Sequence, residues 1–168
     1  MYAVIETDCP LRTLSKQVEG YILKYNVESN TCEQVSPFLF DRPVGVSGAC
    51  AVAMDNYLYL IGGFCVYSDS VRPMSTACRF DTIKKKWEKI ADMQEARYNT
   101  CGVSTRGKLF IAGGIIAGEF PSDIVTTDTC EVYSVSTNQW QFIASLFARR
   151  SSASMLCIKG TQIGRAHV

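Results

Sequence analysis

Histidine is almost absent from this sequence of 168 residues, whose only copy, His167, is the penultimate residue. Histidine is the usual general base of nucleophilic triads, the usual partner of a cysteine nucleophile and the commonest protein ligand of metals. Asp and Glu are scattered through the polar segments without repeated clusters. The sequence therefore predicts a protein that is not an enzyme and that binds no cofactor and no metal.

Closely spaced cysteine pairs are also missing. Eight cysteines lie at positions 9, 32, 50, 65, 78, 101, 130 and 157, so no two are closer than thirteen residues and no Cys-x-x-Cys occurs. That spacing excludes zinc-finger patterns. Most of the cysteines lie in apolar runs such as GACAVAM, where a free cysteine behaves as a small hydrophobe. We expect reduced thiols and a cytoplasmic or nuclear location.

Long hydrophobic runs and an excess of charge of one sign are absent as well. Residues 1–12 have neither the basic start nor the apolar centre of a signal peptide. The longest apolar stretches, 57–67 and 109–117, contain double glycines and are far shorter than the roughly 20 residues that a membrane-spanning helix needs. The net charge is only +1. These features predict no binding to nucleic acid or to a membrane.

What the sequence does contain is an internal repeat. YLYLIGGF at residues 57–64 is echoed by KLFIAGGI at residues 108–115, and the two tryptophans are 53 residues apart. Each copy has a glycine pair, then an aromatic residue, then a tryptophan seven positions later, then an arginine ten positions after that. These hallmark residues are Gly62, Gly63, Phe80, Trp87 and Arg97 in one copy, and Gly113, Gly114, Tyr133, Trp140 and Arg150 in the other.

A third, degenerate copy lies upstream. Tyr25 occupies the aromatic position, Cys32 replaces the tryptophan, and Arg42 follows ten residues later. YAVIET at residues 2–7 replaces the hydrophobic run, with Glu-Thr in place of the glycine pair. The three copies span residues 1–53, 57–105 and 108–158. Residues 161–168, TQIGRAHV, form a non-repeat tail because they lack both the hydrophobic run and the glycine pair.

Each copy has the pattern of four short strands. In the second copy these are LYLI, ACRF, WEKI and TCGVST, and in the third copy they are LFIA, CEVY, WQFI and ASMLCI. Polar segments rich in Ser, Thr, Asp and Pro connect the first strand of each copy to the second, at residues 68–76 and 121–128. No segment has the period of an amphipathic helix. We therefore predict an all-β fold.

The ordered hallmarks and the period near fifty resemble the kelch repeat, each copy of which forms one four-stranded blade of a β-propeller. The resemblance covers nearly all of residues 1–160. It implies a partial kelch-type β-propeller with three four-stranded antiparallel blades in an open arc. It also implies that the glycine pairs mark the innermost strand of each blade, that the tryptophans pack between neighbouring blades, and that the arginines hydrogen-bond to backbone. The glycine pairs lack the GxGxxG pattern of a nucleotide loop.

The same resemblance implies a protein-binding rim. In kelch propellers one rim is formed by residues just after the glycine pair and just after the arginine, held in place by the rigid blades. Aromatic residues at such positions often dominate interface energy. In this chain the candidate rim residues are Phe64, Val66, Tyr67, Tyr98, Asn99, Ile115, Ala117, Ser151 and Ser152, with Pro43 and Val44 in the degenerate copy.

Two functions remain open on the sequence alone. Many kelch proteins of this type carry upstream BTB and BACK domains, and their propeller recruits the substrate of a cullin-based ubiquitin ligase, the cullin being bound only through the upstream domains. Other kelch proteins bind actin as cytoskeletal scaffolds. An inactive truncated isoform is a minor third alternative. A kelch-type copper enzyme resembling galactose oxidase would need histidine ligands that this sequence lacks.

Three blades cannot close a ring, so the outer blades should have uncovered faces. We expect Trp140 to be the residue most exposed by the missing fourth blade. We also expect residues 161–168 to be irregular and the isolated chain to self-associate, because a large apolar face is either a binding site or an aggregation liability.

Overall fold

The computed structural model describes residues 2–6, 20–37, 47–67, 70–118, 123–158 and 161–165. Every regular element in these ranges is a β-strand, and the paired strands are antiparallel. The all-β prediction is therefore confirmed. Within this part of the chain, no helix is long and apolar enough to cross a membrane.

The strands are short, and the longest have seven residues. In chain order they are β1 (Tyr2–Glu6), β2 (Gly20–Asn26), β3 (Thr31–Pro37), β4 (Cys50–Met54), β5 (Tyr57–Ile61), β6 (Phe64–Tyr67), β7 (Ser70–Pro73), β8 (Ala77–Asp81), β9 (Lys86–Lys89), β10 (Cys101–Thr105), β11 (Lys108–Ala112), β12 (Ile115–Ala117), β13 (Ile124–Thr126), β14 (Cys130–Ser134), β15 (Gln139–Ile143), β16 (Ser154–Ile158) and β17 (Thr161–Arg165).

Four sheets form the body of the structure. Sheet 1 has the order β1-β2-β3, sheet 2 has β4-β5-β8-β9, sheet 3 has β10-β11-β14-β15, and sheet 4 has β16-β17. Sheets 2 and 3 are the four-stranded units that the repeat predicts. The prediction of three such units differs from the described residues, where sheet 1 has three strands and sheet 4 has two.

The sheets are offset by one strand from the copies seen in the sequence. β4 lies in the copy 1–53 but pairs into sheet 2, and β10 lies in the copy 57–105 but pairs into sheet 3. A tight hairpin causes the offset, because only Arg106 and Gly107 join β10 to β11. Their φ angles of +50° and +70° fit the type I′ turn that favours two-residue hairpins.

The first strands of the sheets contact one another, β4 against β10 and β10 against β16. Ser104 Oγ on β10 donates a hydrogen bond to the carbonyl of Ala53 on β4, at 2.7 Å. The strands that end in the glycine pairs, β5 and β11, are second in their sheets. The prediction that the glycine pairs mark the innermost strand is therefore wrong.

The glycine pairs are needed where two backbones approach closely. Gly62 has a φ of +69°, and a Cβ on it would lie 2.3 Å from the carbonyl oxygen of Arg97. The N–H of Gly63 donates to that same oxygen at 3.0 Å. The next repeat has the same contact, since a Cβ on Gly113 would lie 2.4 Å from the carbonyl oxygen of Arg150. A side chain at either position would separate the strand from the segment that carries the arginine.

The side chain of Arg97 extends from that segment into the next sheet and is 0% exposed. Nη1 donates to the carbonyl oxygens of Gly113 and Thr129, each at 3.0 Å. Nη2 lies 3.0 Å from Oε1 of Glu131 and 2.9 Å from Oε2 of Glu95. The prediction that this arginine bonds to backbone is confirmed, and its two carboxylate partners balance the buried charge.

Glu131 is also 0% exposed and serves as an acceptor for more than the guanidinium. Its carboxylate accepts the backbone N–H groups of Gln94, at 2.8 Å, and Glu95, at 3.1 Å. Both of these donors belong to the segment that leaves sheet 2. A single carboxylate on sheet 3 therefore fixes the backbone and the arginine of the connecting segment together.

The two tryptophans pack between sheets, as the resemblance implies. Trp87 packs against a buried cluster that joins Ile22 of sheet 1 to residues of sheet 2, and its ring centroid lies 5.2 Å from that of Phe80. Trp140 is only 5% exposed, and its Nε1 donates to the carbonyl oxygen of Ala91 at 2.8 Å. The expectation that Trp140 is exposed is wrong, because its ring faces the segment that follows sheet 2 and does not face the open end.

Part of the tail is a strand. Residues 161–165 form β17, which pairs with β16 so that Ile163 lies opposite Leu156. The expectation that the tail is irregular is wrong for these residues, because an open strand edge offers backbone donors and acceptors to a segment that lacks the glycine pair. Arg42, the arginine predicted for the degenerate copy, lies outside the described residues.

We predict that replacing Arg97 by methionine destabilises the fold by roughly 3–5 kcal/mol, because Glu131 would remain buried without its ion partner. Arg150→Met is the matched control, since Arg150 is partly exposed and its Nε donates to Ala148 within its own segment. We expect the control to cost about 1 kcal/mol or less. Urea unfolding followed by tryptophan fluorescence measures both, and equal losses would show that Arg97 does not link the sheets.

We also predict that Gly62→Ala destabilises the protein by several kcal/mol, since the new Cβ would overlap the Arg97 carbonyl. Gly107→Ala is the matched control: its φ is +70°, but no atom lies within 4 Å of the added Cβ. The control should lose only the roughly 1–2 kcal/mol of a left-handed alanine. Denaturant unfolding of both variants isolates the close approach, and a loss no greater than that of Gly107→Ala contradicts it.

Candidate functional site

Two short hairpins follow the glycine pairs and project from the body of the structure. We call them the rim hairpins: β6-β7 after Gly62-Gly63, and β12-β13 after Gly113-Gly114. β12 contacts β7, so the two hairpins lie side by side. The sequence predicted plain connections at residues 68–76 and 121–128, whereas these regions contain β7 and β13. The run IVT of β13 is entirely β-branched, which indicates a strand, whereas SVRP of β7 has one β-branched residue, Val71.

Backbone hydrogen bonds hold the base of the rim hairpins. The N–H of Tyr98 donates to the carbonyl of Ile115 at 3.0 Å, and the N–H of Ile115 donates back to Tyr98 at 2.8 Å. In the preceding repeat, the N–H of Phe64 donates to the carbonyl of Ser47 at 2.9 Å. The start of each hairpin is thus bonded to the segment that precedes the first strand of its own sheet. The candidate rim residues Tyr98 and Ile115 are brought together by this pairing.

A ladder of residues with positive φ runs alongside these bases. Gly48, Asn99 and Ser152 occupy the same position in successive repeats, with φ angles of +67°, +50° and +52°. The N–H of Asn99 donates to the carbonyl of Gly48 at 2.8 Å, and the N–H of Ser152 donates to the carbonyl of Asn99 at 2.8 Å. Two predicted rim residues, Asn99 and Ser152, therefore lie in one continuous backbone ladder, and Ser151 precedes it directly.

The aromatic rim residues differ in their exposure. Tyr98 is buried and Phe64 is half-buried, and their rings meet edge to face with centroids 5.0 Å apart. Burial raises the pKa of the Tyr98 phenol above its usual value. Tyr98 therefore packs against Phe64 from the buried side, and little of its own ring is exposed to a partner. The side chain of Tyr67, and all of Pro43 and Val44, lie outside the described residues.

The exposed surface of the rim hairpins is formed by pairs of apolar residues. Val66 lies directly opposite Val71, and Ala117 lies directly opposite Ile124, and all four are exposed. Val125, next to Ile124, is exposed as well. Val66 and Ala117 were predicted as rim residues, whereas Val71, Ile124 and Val125 were missed because they lie on the second strand of each hairpin. We call these exposed apolar side chains of the two rim hairpins the ridge, and all of them except Ala117 are β-branched.

The comparisons with known proteins agree with this architecture. A family model described as the Kelch motif matches residues 45–94 and 96–146. Those two matches contain sheets 2 and 3 in full, so their boundaries follow the sheets and not the copies 57–105 and 108–158. The solved structure of YjhT is similar to this chain with a TM-score of 0.67 at 13% identity, over 86% of this chain and 44% of that one. This likeness confirms the partial propeller fold.

Relatives of known name are similar over most of the repeat region. Kelch-like protein 40 of Xenopus laevis is 29% identical over 119 residues, which are 71% of this chain and 18% of that protein. Kelch-like protein 23 of Homo sapiens is 26% identical over 122 residues, 69% of this chain and 19% of that protein. An F-box/kelch-repeat protein of Arabidopsis thaliana is 30% identical over 101 residues. The chain thus spans less than a fifth of the length of the Kelch-like proteins it matches.

The described thiols are free and most of them are buried. Burial raises the pKa of Cys50 and of Cys78 from an ordinary 9.0 to about 12. Burial also raises the pKa of Cys101 and of Cys130. Thiolate is the nucleophilic form, so these cysteines are poor nucleophiles at neutral pH. No group of three or more His, Cys, Asp and Glu able to hold a metal ion occurs among the described residues.

We predict that the exposed Cys32 reacts with iodoacetamide at pH 8 at least about 100-fold faster than Cys50 and Cys78. The buried thiols are inaccessible, and their raised pKa leaves roughly a thousandfold less thiolate. Peptide mapping by mass spectrometry gives the rate at each site and keeps Cys9, outside the described residues, separate. Labelling in denaturant should remove the difference. Equal rates in the folded protein would contradict the buried placement.

Proposed function

The chain belongs to the Kelch motif family, and we propose that it is a non-catalytic protein-interaction module whose partner binds the rim hairpins. The observation that carries the proposal is the ridge of exposed apolar pairs, Val66 with Val71 and Ala117 with Ile124. Exposed apolar patches on a rigid support are typical of protein-binding sites. The ladder through Asn99 and the close packing at the glycine pairs supply that rigid support.

We further propose that the module recruits the substrate of a cullin-based ubiquitin ligase, in the cytoplasm or the nucleus. The similarity to Kelch-like proteins supports this proposal, because in the BTB–kelch adaptors that the chain resembles the propeller recruits the substrate and other domains bind the cullin. Binding to actin is the alternative. Both roles use a protein partner, and neither requires catalysis by this chain.

The ridge favours a partner with an apolar contact surface. Val66 and Ile124 present β-branched side chains, which lose little rotamer entropy when a partner covers them. Asp123 lies next to Ile124 and Arg72 lies next to Val71, and both are exposed charges beside the ridge. A partner that places apolar side chains over the ridge, with polar groups around it, would complement this surface.

We predict that the double change Val66→Asp and Ile124→Asp in the full-length protein lowers partner capture at least about tenfold, because two charges would be buried against an apolar partner. Ile83→Asp is the matched control, since Ile83 is 71% exposed but lies on the turn between β8 and β9, away from the rim hairpins. Quantitative mass spectrometry of proteins co-purified with the three forms identifies those that the rim variant alone loses.

The same samples separate the two roles. Ubiquitylation that depends on the rim, of a protein lost by the rim variant, supports substrate recruitment. If the protein sediments with purified actin filaments, and if the rim variant loses this co-sedimentation while the Ile83→Asp control keeps it, the scaffold role is supported. If the rim variant and the Ile83→Asp control retain the same partners, the assignment of the rim hairpins is wrong.

A further inference from the structure

The turn that joins β8 to β9 in sheet 2 differs from its counterparts in sheets 1 and 3. Each counterpart has an asparagine in the left-handed region, Asn30 with a φ of +52° and Asn138 with a φ of +51°. In sheet 2 the corresponding residue is Lys85, with a φ of +57°. Asparagine adopts this conformation readily, whereas lysine is strained in it. The backbone of the turn therefore gives no reason for a lysine.

The asparagines also accept a hydrogen bond that a lysine cannot accept. Oδ1 of Asn138 accepts a hydrogen bond from the hydroxyl of Tyr133 at 2.8 Å. In the same way, Oδ1 of Asn30 accepts a hydrogen bond from the hydroxyl of Tyr25. In sheet 2 the position of these tyrosines is occupied by Phe80, which has no hydroxyl. Both members of the tyrosine–asparagine pair are thus replaced, so the lysine has no such role in stabilising its turn.

Asp81 fixes the backbone of this turn. Its Oδ1 accepts the backbone N–H groups of Ile83 and Lys84, each at 2.9 Å, and its backbone carbonyl accepts that of Lys85, also at 2.9 Å. We call Lys84, Lys85 and Lys86 the lysine turn. Among the residues that the structure describes, Lys85 and Lys86 have no ion-pair partner. The turn therefore offers amines to a ligand, while the N–H groups of residues 84 and 85 are used within it.

The lysine turn is exposed although sheet 2 has a neighbour on each face. Ile22 of sheet 1 packs in one buried cluster with sheet 2, and Tyr133 and Trp140 of sheet 3 pack in another. All three lysines are exposed. β8 ends at Asp81, which pairs with the first residue of β5, and the last residue of β5 precedes the glycine pair. The lysine turn thus lies at the end of sheet 2 opposite to the rim hairpins.

Other positive side chains lie at the same end of the neighbouring sheet. Arg106 is in the hairpin between β10 and β11, β11 begins with Lys108, and both side chains are exposed. The lysine turn is held to the β4-β5 hairpin by Thr82, whose N–H and hydroxyl both donate to the carbonyl of Asn56, at 2.9 and 2.8 Å. The whole chain has a net charge of only +1, so positive charge is concentrated here by position. Such a local field attracts carboxylates.

We propose that the lysine turn binds an acidic segment of a partner protein, at a surface separate from the ridge. Carboxylates along a flexible segment can pair with exposed amines without a fixed geometry. A phosphate group is held best by arginine forks or by free backbone N–H groups, and Asp81 already accepts those of the turn. The strained φ of Lys85 fits a residue kept for its amine, since backbone strain is concentrated at functional sites.

A flexible acidic segment fits this surface better than a flat anionic membrane does. A membrane would meet the turns of several sheets together, and the counterpart residues 29–31 and 137–139 are uncharged. The exposed acids Glu28 and Asp55 lie in turns at this end of sheets 1 and 2, where they would repel an anionic surface. A segment that follows the lysine turn can avoid both acids.

The first test gives the lysine turn the residues of its counterpart in sheet 3. Lys84→Thr, Lys85→Asn and Lys86→Gln together should lower the affinity for a fluorescent decaglutamate peptide at least about tenfold, measured by anisotropy at low ionic strength. The urea midpoint of unfolding should not fall, because asparagine tolerates the positive φ. If the unchanged protein does not bind the peptide, or if the triple variant binds it equally well, the proposal is wrong.

The second test separates the position of a charge from its amount. Lys85→Asn and Lys89→Gln each remove one positive charge from an exposed side chain, but Lys89 lies on β9 and pairs with Asp92 at 3.2 Å. Lys85→Asn should weaken peptide binding at least about threefold, and Lys89→Gln less than about 1.5-fold. Equal losses would show that the peptide responds only to overall charge, and would overturn the assignment to the turn.

The third test concerns the class of partner. Vesicles of phosphatidylcholine and phosphatidylserine in equal parts, and a single-stranded DNA of the same charge as the peptide, should each bind more weakly than decaglutamate. Tighter binding of either one, lost in the triple variant, would overturn the assignment to an acidic protein segment.

The last test separates the lysine turn from the ridge. Val66→Asp with Ile124→Asp should change the affinity for decaglutamate less than about twofold, because these residues lie at the other end of the sheets. A loss as large as that of the triple variant would place the peptide on the ridge and overturn the proposal. Ile83→Asp adds a negative charge beside the lysine turn, so a protein that only Ile83→Asp loses is assigned to the turn and not to the ridge.

Discussion

The side chain of Arg97 is fully buried. A buried charge is tolerated only where hydrogen-bonding or charged partners replace the water that the group has lost. Those partners come from the next sheet: the carbonyls of Gly113 and Thr129 and the carboxylate of Glu131. The backbone carbonyl of the same residue accepts a hydrogen bond from Gly63 of the sheet before. One residue therefore bonds backward through its main chain and forward through its side chain, and the packing of neighbouring sheets depends on it.

The contacts of Arg97 explain why the glycine pair and the arginine, two hallmarks of the repeat, occur together. The glycine pair has no Cβ at the point where the arginine segment passes, and the arginine reaches the carbonyl of the following glycine pair. Arg97 could not approach a Gly62 that carried a side chain, because the distance from that Cβ to the carbonyl would be 2.3 Å. The residues after the arginine, Tyr98 and Asn99, are placed at the base of the rim hairpins by the same contact.

The sequence allowed the strand content and the period to be predicted, because each depends on residues close together in one repeat. The packing of the tryptophans between sheets was implied by the resemblance to the kelch repeat, since their contacts join residues that are far apart in the sequence. The sequence did not show at which residue one sheet ends and the next begins, since a repeat of fixed period can be divided at any point. This division is decided by the two-residue turn at Arg106-Gly107, a hairpin signal that the spacing of the hallmarks does not contain. The second strands of the rim hairpins were missed because Val71 and Ile124 lie in segments whose polar composition is typical of loops. The burial of Trp140 was missed because a hallmark residue says nothing about which neighbouring sheet it faces.

Equivalent positions on the first strands β4, β10 and β16 differ in exposure because the sheets that cover these strands differ. Val52 is buried because β10 covers it, whereas Leu156, in the same position, is exposed because the described residues place no sheet beyond β16. In repeat proteins each interface between neighbouring units adds its own share of stability, so an array gains from every interface it can close. The four sheets described here have exposed apolar side chains at one end and small side chains at the other. Val52 and Leu156 therefore differ in exposure because a neighbouring sheet covers only the first of them, and the difference does not come from their residue types.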